Sequence, residues 1–301
     1  MANLTLENAA LPRVVPAETQ PSEPHGDSRP EMVIEPAARW PRVDLRELWT
    51  YRQLLFFLVW RDLKVRYAQT VLGIGWAVLQ PLLSMLVFTV IFGRFAKVPS
   101  DGIPYAVFSL AAVVPWTYFS TAFSTSSNSL VTSANLISKV YFPRLVVPIA
   151  PVLAAIVDLL IGFVVLAALM MVYHVAPSPA AIFMVPLLVL LMAITATGVG
   201  CWLSALNIQY RDVKHLVPFL SQIWMYASPI VYPVSLVPAR LRPFYALNPM
   251  VGIVEGFRSV LLQSGPIPWR LLGISAATGT LLLVGGALYF RRTERLFADI
   301  A

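Results

Sequence analysis

The chain has 301 residues, of which 58% are hydrophobic and only 12% charged, and its mean hydropathy is +0.72. Soluble domains carry about 25% charged residues, so the composition excludes an ordinary soluble enzyme and indicates a membrane protein. The net charge of +7 does not argue for a nucleic-acid partner: the cations sit beside apolar runs, where topology and anionic lipid headgroups account for them.

Residues 1–40 are rich in Pro, Glu, Ala and Ser, with three arginines against six acids. Such a segment buries too little apolar surface to fold, so a disordered cytoplasmic tail is expected. The first fifteen residues lack a basic start and a continuous apolar core, so the first transmembrane helix is expected to serve as its own insertion signal.

Residues 44–68 place Leu45, Leu48, Trp49, Leu55, Phe56, Val59 and Leu63 at helical spacing, with charges gathered at both ends. The unbroken apolar core, 54–60, falls far short of the roughly 20 residues that a span requires. The pattern fits a helix lying in the inner interface, or one packed on the protein's own bundle, and the two are compatible. Residues 71–93 hold no charge and form the first expected span, with Pro81 inside it. A polar external turn (94–102) leads to the second span, 104–123, whose Ser/Thr-rich continuation reaches Ser133.

The stretch that follows, SANLISKVYFPRLVVP (133–148), separates two long apolar regions. Asn135 can cap a short helix and Pro143 is expected to stop it, giving a helix over 135–144. Lys139 and Arg144 bracket Tyr141 and Phe142. The residues suit docking to something outside the membrane; equally, they suit a plain cytoplasmic loop whose charges set orientation.

Spans three and four are expected over 145–173 and 181–206, and a second charged island, NIQYRDVKH, occupies 207–215. Spans five and six are expected over 216–232 and 271–290, the last closed by Arg291, Arg292 and Arg295. The intervening 233–270 is nearly long enough to cross but holds Asn248, Pro249, Glu255 and Arg258. If the region did cross, the terminal arginine cluster would fall outside. With six spans and both termini inside, fourteen Lys and Arg near the membrane are cytoplasmic and six external, the expected bias. The region 233–270 then reads as a re-entrant hairpin, with Glu255 and Arg258 able to pair at i and i+3.

Candidates for chemistry are few. No phosphate-cradling Gly-rich loop ending in Lys-Ser/Thr, no paired catalytic carboxylates and no recognisable Ser-His-Asp spacing occurs, so no means of hydrolysing ATP is visible. Cys201 lies in an apolar run, and His25, His174 and His215 are too far apart for a metal site. Asp158, about 21 Å along its helix from Arg144 at 1.5 Å per residue, is the one acid well inside a span. It is either a proton-relay group or a hydrogen-bonded structural one, and no basic partner is visible for it. Trp76, Trp116, Tyr118, Phe119, Trp224 and Tyr226 fit an interfacial aromatic belt or the lining of a sugar channel.

The runs WRDLKVRYAQTVLGIGWAVLQP (60–81), NLISKVYFPRLVVP (135–148), YRDV (210–213), SPIVYP (228–233) and LNPMVGIVEGFR (247–258) resemble, in order, the permease subunits of ABC-2 type exporters that move O-antigen, capsular or teichoic acid polysaccharides. The resemblance spans about two-thirds of the chain. It implies an all-α domain over 41–301 with six spans, an N-terminal interfacial helix, a short cytoplasmic coupling helix and an external re-entrant hairpin. It implies a homodimer in the bacterial cytoplasmic membrane, two copies of a separate ATPase that binds the ATP and Mg, and a lipid-linked glycan as substrate. By position, Leu136, Ile137, Ser138, Lys139, Val140, Tyr141, Phe142 and Arg144 would engage the ATPase, flanked by Tyr210, Arg211 and Asp212. Arg61, Lys64 and Arg66 would draw in the substrate's diphosphate or anchor to lipid. The alternatives are a small-molecule exporter of the same fold and a proton-coupled transporter using Asp158. A membrane glycosyltransferase lacks an acid/base or metal-binding pair. Disrupting 136–142 is expected to leave folding intact and uncouple ATP hydrolysis from export.

Overall fold

The structure is a computed structural model that describes residues 45–68, 73, 75–210 and 212–294. The tail over 1–40, the start of the first expected span, Arg211 and Arg295 lie outside the described residues. Among the described residues every regular element is helical.

Two helices, α1 (Leu45–Thr50) and α2 (Arg52–Tyr67), form the amphipathic segment. Leu58 of α2 is buried against Val146 and Ala150, so one face packs on the protein's own bundle. Trp49, Phe56, Phe57 and Trp60 remain exposed. Next comes α3 (Gly75–Phe88), which runs on in π-helical form through Thr89–Phe95; Pro81 is its one buried residue.

The central element is α4 (Tyr105–Thr132), most of which is buried. It runs past the expected end at 123, with the hydroxyls of this extension satisfied on its own preceding turn. Thr125 Oγ1 donates to the Thr121 carbonyl at 2.6 Å, Ser127 Oγ to Ser124 at 2.7 Å and Thr132 Oγ1 to Asn128 at 3.2 Å.

Around α4 stand α3, α6 (Val146–Ala154), α7 (Ile156–Val172), α8 (Ala181–Gln209), α9 (Val213–Tyr226) and α11 (Pro249–Leu262). The single turn α5 (Ala134–Ile137) follows α4; α10 (Arg242–Tyr245) precedes α11, and α12 (Trp269–Thr293) closes the bundle on α8. Among the described residues five stretches are long and apolar enough to cross a membrane: Gly75–Phe95, Tyr105–Thr132, Val146–Val172, Ala181–Gln209 and Trp269–Thr293.

The fifth expected span is different. Its helix, α9, has 14 residues and extends about 21 Å, short of the roughly 30 Å hydrocarbon core. Ser228 precedes Pro229, and a residue before proline avoids the helical region, so the helix ends at Tyr226 and a turn occupies 227–233.

The helices α8 and α12 pack without room for a side chain between them. An ideal Cβ on Gly286 would lie 2.3 Å from the Gly198 carbonyl oxygen, and one on Gly198 would lie 2.5 Å from the Leu283 backbone nitrogen. Backbone thus meets backbone, as small residues permit between helices that gain no hydrophobic drive in lipid. Gly286→Val is expected to destabilise the protein by about 3 kcal/mol, the upper end for overpacking, because the obstacle cannot change rotamer. Gly273→Ala, with nothing within 4 Å of its Cβ position, should be near neutral. Thermal unfolding of the two variants in the same detergent checks this.

Candidate functional site

Three features of the bundle carry polar or exposed chemistry, and the first is the break between α4 and α6. Its helix is α5, a single turn of four residues, shorter than the expected 135–144. Ser133, not Asn135, occupies the cap position, and no side chain caps the turn. With Pro143 close ahead, 138–145 continue as turn and extended backbone.

The side chains of this break divide sharply. Ile137, Phe142 and Leu145 are buried in a small core with Leu130, Cys201, Ala205 and Phe290. Tyr141 is 89% exposed, and Ser138, Lys139 and Val140 are exposed beside it. Leu136 is half-buried, and Arg144 Nη1 donates to the Glu294 carbonyl, tying the break to the end of α12. The expectation that disrupting 136–142 spares folding is therefore corrected: Ile137 and Phe142 hold the loop down. Of the second charged island, Tyr210 and Asp212 are exposed at the α8–α9 junction.

The second feature lies between α2 and α4. A groove of about 610 Å³ is lined by Arg61, Asp62, Val65 and Arg66 on one side and by Ser124, Thr125, Asn128, Ser129 and Thr132 on the other. Arg66 also borders a smaller cavity of about 200 Å³ reaching Tyr67, Trp76, Gln80, Thr117, Tyr118, Thr121 and Asp158.

Asp158 is not a carboxylate without a basic partner. Arg66 Nη1 donates to its Oδ2 and the Tyr67 hydroxyl to its Oδ1, joining the end of α2 to α7. Burial, and then the bond to Asp158, raise the Tyr67 pKa above its ordinary value, so this hydroxyl stays a donor. The three expected headgroup cations thus differ. Arg61 is clamped by Asp62 at 2.8 and 3.0 Å, Arg66 is clamped by Asp158, and Lys64 is exposed.

The aromatics also separate. Trp116, Tyr118 and Phe119 are buried in the core of the chain, where Phe119 meets the edge of Trp224 at 5.0 Å and the Tyr118 hydroxyl donates to the Val152 carbonyl at 3.3 Å. Within this chain Trp116 and Phe119 fill space, while Tyr118 also borders the small cavity beside Asp158. Trp76 and Tyr226 are each about half exposed.

The third feature joins the turn 227–233 to α11, and reading the sequence missed its organising residue. Asn248 caps α11 by accepting from the Met250 amide at 3.0 Å and also accepts from Trp224 Nε1 at 2.8 Å. Its amide nitrogen donates to the Ala227 carbonyl and to Ser228 Oγ, both at 2.9 Å. Asn followed by Pro before an apolar run is a helix-start signal, and it was present in the sequence.

Arg258 corrects another expectation. It forms no ion pair with Glu255 among the described residues; Nη2 donates to the Ile230 carbonyl at 2.8 Å and Nη1 to Tyr232 at 3.4 Å. Its guanidinium lies 3.6 Å from the centroid of the Phe108 ring. The side chain is 1% exposed, so it binds a turn and a ring face in place of a carboxylate.

With the geometry in place, comparison with known proteins is direct. Residues 53–262 match the family described as ABC-2 type transporter. The O-antigen export system permease protein RfbA of Klebsiella pneumoniae is 30% identical over 247 residues, covering 82% of this chain and 94% of that protein. RfbA of Myxococcus xanthus is 29% identical over 259 residues, covering 85% and 98%. The polysialic acid transport protein KpsM of Escherichia coli is 27% identical, covering 79% and 93%.

Proposed function

The chain belongs to the ABC-2 type transporter family, and on that premise we propose that it is the permease subunit of an ATP-driven exporter of lipid-linked polysaccharide. The observation that carries this reading is the near end-to-end match to relatives named for O-antigen and polysialic acid transport. ATP is hydrolysed by a separate nucleotide-binding subunit, two copies of which serve a homodimer of this chain.

In this reading the protein sits in the bacterial cytoplasmic membrane with both termini inside. The helix α9 with the turn 227–233 makes the fifth of six crossings, and α10 with α11 forms a re-entrant hairpin on the external side. That hairpin is tolerable in lipid because protein covers its backbone: nearly all of α11 is buried. The segment α1–α2 lies in the inner interface, its exposed aromatics toward lipid. The break 133–145 meets the ATPase through Ser138, Lys139, Val140 and Tyr141, with Tyr210 and Asp212 nearby in the same interface.

Deleting the gene is expected to remove polysaccharide from the cell surface and to accumulate lipid-linked polymer inside. Surface staining together with extraction of the polyprenyl-linked glycan checks it. Unchanged surface polymer in a strain with no second exporter would overturn the reading.

A further inference from the structure

One face of α4 has a use that packing does not supply. Thr117, Thr121, Thr125, Asn128 and Thr132 recur at intervals of three or four residues, so they share one face of the helix over about 22 Å. That face lines both the small cavity and the groove, and Arg66 borders both. Thr125 and Thr132 are exposed there, and each spends its one hydroxyl proton on the carbonyls three and four residues back. The oxygen lone pairs that remain are acceptors, suited to groups that bring their own protons. Asn128 is fixed between them by donating to the Ser124 carbonyl at 3.1 Å and accepting from Asn207 at 2.9 Å.

The opposite wall has the other character. Arg61 and Arg66 face this row from α2, with Arg61 held by Asp62 of the same wall and Arg66 matched to the Asp158 carboxylate. A phosphate carries more charge than one carboxylate and offers a guanidinium the same fork, so it can replace Asp158. Asp158 would keep the Tyr67 hydroxyl and so would not be left without a partner.

We propose that the groove between α2 and α4 is an entry site for the sugar–phosphate end of the substrate, in which Thr125 and Thr132 accept sugar hydroxyls and Arg66, exchanging Asp158 for phosphate, holds the charge. The volume of about 610 Å³ suits one or two sugars with their phosphate, within the usual range for small-ligand sites. This rests on the exporter reading and adds to it a sugar-reading wall and a resting-state stand-in for the phosphate.

The test uses the assembled permease–ATPase complex in nanodiscs and three probes: a polyprenyl diphosphate bearing one N-acetylhexosamine, the same lipid without sugar, and phosphatidylglycerol. The double variant Thr125→Val/Thr132→Val keeps shape and loses both hydroxyls. It is expected to bind the sugar-bearing probe about tenfold more weakly and the sugar-free lipid unchanged. Thr125→Ser/Thr132→Ser should restore binding. Arg66→Gln should weaken both diphosphate probes about tenfold, and Asp158→Asn should tighten them severalfold. Each variant is first matched to the wild type in thermal midpoint and elution volume; Asp158→Glu replaces any Asp158→Asn protein that fails this and should bind as the wild type does. Equal sugar-probe binding by the valine variant and the wild type would overturn the proposal, as would phosphatidylglycerol binding as tightly as the diphosphate lipid. Either result, in a strain whose deletion still loses surface polysaccharide, removes this site and leaves the exporter standing.

Discussion

Tyr141→Ala is expected to abolish most polysaccharide export while the protein stays folded, whereas Phe142→Ala is expected to destabilise the fold. The two residues are adjacent and both aromatic, yet Tyr141 is 89% exposed and Phe142 4% exposed. Removing the tyrosine takes nothing from the core of this chain. If the loop receives force from the ATPase, Tyr141 is the aromatic positioned to fill a pocket on that partner, and truncating a central aromatic anchor costs about 2 kcal/mol or more at an interface. Export should fall at least tenfold at unchanged protein level, with ATPase activity of the complex persisting. Phe142 lies among Ile137, Leu145, Cys201 and Phe290, and its truncation should destabilise by about 3–5 kcal/mol. Export measured alongside thermal unfolding in detergent separates them. Normal export by Tyr141→Ala would remove the loop from the coupling path.

Arg258→Met is the second large effect, and it strikes stability. The guanidinium supplies the donors for the Ile230 and Tyr232 carbonyls and lies on the face of Phe108. Losing the donor to the buried Ile230 carbonyl costs about 1–3 kcal/mol and the desolvated cation–π contact about 2, the long bond to Tyr232 at 3.4 Å adding little, so a total near 3–5 kcal/mol is expected. Lysine retains the charge but cannot reach two carbonyls from one plane, so Arg258→Lys should recover only part. Thermal midpoints of the three proteins give the order wild type, lysine, methionine. Equal midpoints for lysine and methionine would show that the charge over the ring contributes nothing.

Much of the architecture was legible because membrane helices announce themselves by length. Among the described residues five apolar runs, one of them carrying Asp158, became five helical stretches of membrane length, since each buries or exposes its side chains to surroundings that are apolar either way. Over 216–232 that rule gave no helix end, and Ser228 and Pro229 follow a helix that stops at Tyr226 although hydropathy continues. Local pattern also overestimated the helix at 135–144: the donor and acceptor needed beyond one turn compete with the proline and with the anchoring of Phe142.

The polar contacts were harder to read. Asp158 seemed to have no basic partner because Arg66 lies 92 positions earlier and only the fold brings them together. The pairing of Glu255 with Arg258 was plausible by helical spacing alone, but the turn 227–233 offers carbonyls from another part of the chain. Asn248 carried a clear local signal and was counted only as polarity opposing a crossing. Sequence spacing finds partners within a helix; it is silent on partners between helices.

The backbone contact of Gly198 with Gly286 also bears on motion. Helices that touch through main chain cannot slide without first separating, so α8 and α12 form one stiff plate. The helix α3 is fully buried only at Pro81, with Met85 and Phe88 half-buried against the core, and it continues in π-helical form, so its displacement forfeits less packing than that of α8 or α12. A transport cycle in this protein would then divide the labour unequally, with a fixed wall of α8 and α12 and a swinging panel of α3.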